Sequence, residues 1–150
     1  MNGLTTRYIF FAVTVFLLNF VWESWHAAYL YADLSDNTAP MQAVTFGDFV
    51  QLITYVSIID AGILSIIFLG GVIVWRQHDW FMQMDTRKYA YFAGVAILWA
   101  ICIEYKAVFM FDQWSYSSLM PTIFGLGVSP LMQLAATGLG ALWITRQAGR

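Results

Sequence analysis

The chain has 150 residues, 60% of them hydrophobic and 11% charged, with seven Lys and Arg against nine Asp and Glu and a formal net charge of −2. Its mean hydropathy is +0.65. This composition excludes an ordinary soluble domain, in which roughly a quarter of residues are charged, and the absence of a basic patch excludes a nucleic-acid partner.

A membrane span needs about 20 mostly apolar residues. Four such stretches follow one another: Tyr8 to Tyr31, Phe49 to Trp75, Tyr89 to Phe111 and Pro121 to Thr145. The predicted fold is an all-α membrane protein, a single four-helix transmembrane bundle over residues 1–150. The connections are too short for a soluble catalytic domain, so any site must lie within the helices or their joins.

The first stretch reads as a retained span rather than a signal peptide. It is long and runs into Glu23 without a small-residue cleavage site. Asn19, Glu23 and His26 are spaced four and three apart and so share one helical face. On the second stretch Gln51, Thr54, Ser57 and Asp60 recur every three residues. The third carries Glu104, whereas Lys106, two positions on, is turned about 200° round the helix. Its Cys102 is the only cysteine, which removes intrachain disulfides and cysteine metal clusters. On the fourth stretch Ser129, Gln133 and Thr137 recur every four residues. In the segment TIFGLGVSP, Gly125, Gly127 and Pro130 suit equally a break within that helix, with Ser129 and Gln133 beside it, or a simple Pro kink with tight glycine packing, and Gly138 and Gly140 suit close helix packing.

Basic residues are retained on the cytoplasmic side of membrane proteins. Arg7 precedes the first span, Arg76, Arg87 and Lys88 lie between the second and third, and Arg146 and Arg150 follow or end the fourth. With four spans these all fall on one side. The connections from Ala32 to Asp48 and from Asp112 to Met120 contain acids but no Lys or Arg. Both chain ends are therefore expected in the cytoplasm, and the expected location is the plasma (inner) membrane of a prokaryote.

An ionisable group inside a bilayer costs a few kcal/mol on insertion scales, so each one held there calls for a reason. Glu23, His26, Asp60 and Glu104 lie about 7 to 17 Å below the outer boundary, counted at 1.5 Å per residue. Asn, Ser and Gln stripes alone would read as interhelical hydrogen-bond glue. Carboxyls in a low dielectric instead carry a proton, a cation or a counter-charge, so the cluster points to a polar pocket open to the outside. Asn19, Ser57, Ser129 and Gln133 are its expected polar lining. Trp75, Trp80, Tyr89 and Trp143 read as an inner aromatic belt. A denser outer set brackets the acids, with Trp22 and Tyr105 the expected pocket walls.

Three kinds of chemistry suit this pattern. In the first, an intramembrane enzyme or binding protein takes a lipid-like or isoprenoid molecule, with Glu23 or Glu104 as acid, Asp60 as counter-carboxylate and His26 as relay. Aromatic faces would stabilise a developing cation. In the second, Glu23-Ser24-Trp25-His26 supplies the Glu-x-x-His spacing of bundle metal sites. With Asp60 and Glu104 it would hold a single transition metal, Fe, Mn or Zn. In the third, the acids serve a small ion or proton pathway in a homo-oligomer, or the chain is an accessory subunit. The apolar runs Ile63 to Val74, Gly94 to Ile103 and Leu139 to Ile144 favour a pocket open at one side over a pathway through the membrane.

Trp114-Ser115-Tyr116, followed by MPTIFGLGVSP, resembles a segment of membrane lycopene cyclase domains in which Trp-x-Tyr precedes a Gly-rich, Pro-containing helix start. The resemblance covers about twenty residues. Pro130-Leu131-Met132-Gln133 stands where that family carries Pro followed by paired acids, so the resemblance implies a lipid-phase substrate without the cyclase acids.

Overall fold

The computed structural model describes residues 3–32 and 45–148. Four helices dominate: α1 (Gly3–Tyr29), α2 (Phe46–Trp75), α3 (Thr86–Tyr105, continued by a π-helical turn over Lys106–Met110) and α4 (Val128–Ala148). All four are long and apolar enough to cross a membrane. Their outward faces carry large apolar side chains, among them Val21 at 69% exposure and Ile73 at 77%. Such surface would be unfavourable in water and suits lipid.

Local chemistry sets several boundaries. Before α2, the Thr45 hydroxyl accepts from the Asp48 backbone N–H at 3.2 Å, while the Asp48 carboxyl accepts from the Thr45 backbone N–H at 2.9 Å. This reciprocal cap satisfies donors that the first helical turn leaves open. Asp85 caps α3 in the same sense, accepting from the Lys88 backbone N–H at 2.9 Å. At the other end of α2, Arg76 adopts a left-handed conformation with φ 52° and stops the helix.

The α2–α3 connection folds back into the bundle. Trp80 and Phe81 are fully buried, and the Trp80 indole donates to the Phe68 carbonyl at 3.1 Å. Trp80 is thus a core residue, not the belt residue its position suggested. Around it Phe11 stacks on Phe68 at 4.6 Å, and Phe92 meets Phe11 edge-on at 6.4 Å. Gly138 on α4 permits this approach, because a Cβ there would collide with Phe92 and Leu64. Helix α1 packs against α2 and α4, and α3 packs against α4. Helices α2 and α3 touch much less. Their hydrogen bond, from the Tyr91 hydroxyl to the Ile67 carbonyl at 3.1 Å, and the contact of Tyr91 with Trp75 both lie toward the end bearing the basic residues.

Two short ribbons cover the opposite end. β1 (Tyr31–Ala32) pairs antiparallel with β2 (Ser115–Tyr116), in register Tyr31 with Tyr116. β3 (Thr122–Ile123) pairs with β4 (Leu126–Gly127) through a two-residue turn, in which Phe124 (φ 53°) and Gly125 (φ 81°) are both left-handed.

The ribbons correct two expected boundaries. The first helix ends at Tyr29, and Tyr31 belongs to a strand. The fourth begins at Val128, so residues 121–127 form a hairpin instead of the start of a broken helix. Pro130 therefore sits in the first turn of α4, where a missing N–H costs no helix bond. The expected break within the fourth span is absent.

Candidate functional site

At the ribbon-covered end, side chains from all four helices line one cavity of about 90 Å³. This is room for several waters or a short apolar group. Glu23 comes from α1, Asp60 from α2, Glu104 from α3 and Gln133 from α4. All four are more than nine-tenths buried. Apolar wall is supplied by Leu52, Ile53 and Val56 of α2 and by Ala100 and Ile103 of α3, while Tyr31, Gln113 and Trp114 lie toward the ribbons. Among the described residues no Lys or Arg lines it.

Gln133 is the hub. Its Nε2 lies 2.6 Å from Glu23 Oε1, 3.0 Å from Asp60 Oδ2 and 3.1 Å from Asn19 Oδ1. An amide nitrogen carries two hydrogens, so three acceptors compete for two donors. Behind it Asn19, fully buried, donates to the Val15 carbonyl at 3.0 Å, and the Thr137 hydroxyl lies 3.2 Å from Asn19 Oδ1. Asn19 supports the site from the rear without lining the cavity.

Glu104 is held by a different set. Tyr116 donates its phenolic hydrogen to Glu104 Oε2, and the Trp114 indole lies 3.5 Å from the same oxygen. Burial, followed by the bond to Glu104, holds the Tyr116 phenol well above its ordinary ionisation range, so it remains a donor. Glu104 stands on the last regular turn before the π-helical Lys106–Met110 segment. Turns of that kind frequently accompany functional positions in helices. Lys106 is exposed and its ammonium lies 5.8 Å from the Phe111 ring.

His26 belongs to a neighbouring cluster. The Trp22 indole donates to His26 Nε2 at 2.8 Å, and the Ser129 hydroxyl lies 2.5 Å from the same nitrogen. Since an indole N–H only donates, Nε2 accepts and the ring proton sits on Nδ1, which is buried without a hydrogen-bond partner among the described residues. Neither His26 nor Ser129 nor Trp22 lines the cavity.

This separation bears on the metal alternative. Among the described residues no group of three or more His, Cys, Asp and Glu is placed to hold a metal ion. The one-His, three-carboxylate set fails to assemble because Trp22 and Ser129 engage the histidine on its own side. Ser57 is buried and does not line the cavity, and its hydroxyl has no partner among the described residues. Tyr105, expected as a wall, is 53% exposed and packs on Phe109.

The aromatic residues at the site are instead Tyr31, Trp114 and Tyr116. Tyr31 stacks with Tyr116 at 6.0 Å and meets Trp114 edge-on at 5.8 Å. A usable sequence signal existed, because Trp114 and Tyr116 are two apart and alternate positions of an extended strand share a face.

Compared with protein-family models, curated proteins and solved structures, the chain matches none. The likeness of residues 114–130 to lycopene cyclase domains is accordingly local and assigns no family. The fold and site define a four-helix apolar bundle with a buried polar cluster at one end.

Proposed function

We propose that this is an integral membrane protein whose cavity takes a lipid-like or isoprenoid molecule, either to bind it or to transform it by acid–base chemistry. Both chain ends and the α2–α3 connection face the cytoplasm, and the cavity lies in the outer half of the bilayer. A prokaryotic plasma (inner) membrane suits the chain. The observation that carries the reading is the convergence of three carboxyls and one amide, each from a different helix, on a cavity whose remaining wall is largely apolar. Small-molecule sites combine apolar walls with a few convergent polar groups in this way. Interhelical glue alone would use amides and hydroxyls, without two acids on one amide donor and a third acid on the same cavity.

A proton could pass between the ligand and Glu23, Asp60 or Glu104, which are near enough to Gln133, Tyr116 and Trp114 for their orientation to be fixed. His26 is better read as a support for Ser129 and Trp22 than as a relay. The reading is tested by mass spectrometry of small molecules extracted from the purified protein, with elemental analysis of the same sample. A stoichiometric apolar molecule without a transition metal is expected. A stoichiometric metal and no organic molecule would overturn it.

A further inference from the structure

The cavity has a direction. Toward the water-facing end it is roofed by the Tyr31, Trp114 and Tyr116 rings and by the β1–β2 pairing, which is tied to the end of α1 where the Ser117 N–H donates to the Leu30 carbonyl at 2.9 Å. Toward the basic end the core around Phe68, Trp80 and Phe92 is closed. Between α2 and α3 the bond from Tyr91 lies near the basic end, and at the site end Leu52, Val56 and Ile103 border the cavity while remaining partly exposed. The partly exposed side of the cavity therefore lies between α2 and α3, the side that meets lipid in the proposed membrane setting.

The polar wall is one-sided as well. It presents acceptors in excess. Gln133 Nε2 serves three oxygens, and among the described residues no Lys or Arg lines the cavity. Asp60 Oδ1 and Glu104 Oε1 belong to side chains 7% and 4% exposed that line the cavity, and neither oxygen has a hydrogen-bond partner among the described residues. A carboxylate oxygen at a buried site needs a donor, and a charged donor makes the stronger bond. An ammonium group supplies three N–H donors and a neutralising charge. The Tyr31 and Trp114 rings line the same cavity.

We infer that the ligand is a single-chain amphiphile with a protonated amine head, which enters sideways from the bilayer between α2 and α3 and seats its head among Glu23, Asp60 and Glu104 while its tail lies along Leu52, Val56 and Ile103. This rests on the reading of the cavity as a ligand site and adds the head-group chemistry and the route.

The test uses the full-length protein in detergent and a long-chain primary alkylamine bearing a photoreactive group on its tail, with adducts located by peptide mass spectrometry. Adducts are expected on Leu52, Val56 or Ile103. Excess dodecylamine should suppress them and dodecanol should not. Asp60→Asn should lower labelling about tenfold or more, as loss of a buried charge-assisted bond implies. Val56→Trp, which fills the gap, should do the same, whereas Val56→Ala should label like the parent and so separates blockage from misfolding. Labelling spread over the outward helix faces, equal competition by dodecanol, or full labelling of Asp60→Asn or Val56→Trp would each overturn the inference. If the purified protein retains an apolar molecule but fails this test, the amine head and sideways route fall while the proposed function stands. If nothing is retained and nothing is labelled, both fall.

Discussion

Gln133 of α4 donates to Glu23 of α1 at 2.6 Å, and the same nitrogen lies 3.0 Å from Asp60 of α2. One neutral side chain thus ties three helices together at the point where two acids meet. The arrangement is sensitive because a buried carboxyl that loses its donor bears its desolvation cost unrelieved.

Gln133→Leu is therefore expected to destabilise the bundle by about 1–3 kcal/mol, seen as a lowered unfolding midpoint in detergent. Adding Glu23→Leu should recover part of the loss, since it removes one of the two acids left without the amide donor. Unchanged stability of Gln133→Leu would show that the contact is incidental.

Gly138 gives a prediction about packing alone. Its missing Cβ makes room for Phe92 and Leu64. Gly138→Val should cost about 1–3 kcal/mol, the usual range for overpacking a filled core. Gly62, where an added Cβ would meet nothing within 4 Å, should accept Ala with no loss. Equal midpoints for the two variants would contradict the packing described.

Orientation can be read by single-cysteine labelling in a Cys102→Ser background, the native thiol being exposed. A cysteine at exposed Ser118 should react with an impermeant reagent outside intact cells, and one at Gln83, in the α2–α3 connection, only after lysis. Reaction of position 83 from outside would reverse the topology.

The Tyr116 phenol yields a pH dependence. Its folded-state ionisation lies above the unfolded value, so its contribution is fully present below about pH 10 and is lost as pH rises further. Tyrosinate absorbance during an alkaline titration should show a late-ionising fraction that loses one phenol's worth of absorbance in Tyr116→Phe, Tyr31, which burial also raises, continuing to ionise late. An identical titration curve for that variant would remove Tyr116 from the site.

Much of the fold was legible because hydropathy and length speak directly of spans, and because acids on apolar helices must find one another. Three- and four-residue spacings placed Glu23, Asp60 and Gln133 on the polar faces of their helices, and matching depth added Glu104, the four that line the cavity. Boundaries were harder. Residues 121–127 are apolar enough to be counted into a span, but Phe124-Gly125 turns back on itself, a local backbone event that hydropathy does not register. Trp80 looked interfacial because tryptophan commonly is, and only the fold-back of the α2–α3 connection buries it. His26 shares a helical face with Glu23, yet facing sets a direction and not a partner. Three residues along α1 carried it to Ser129 instead of to the acids.

The most direct test of the central claim compares the molecule retained by the parent protein with that retained by Glu23→Gln, Glu104→Gln and Lys106→Gln, each purified identically and confirmed folded by its unfolding midpoint. The first two are expected to lose the bound molecule, because their carboxyls line the cavity, and the third to keep it, because Lys106 is exposed outside the lining. Retention by both glutamate variants at the parent's level would contradict the ligand-site reading and leave the acids as helix-to-helix contacts.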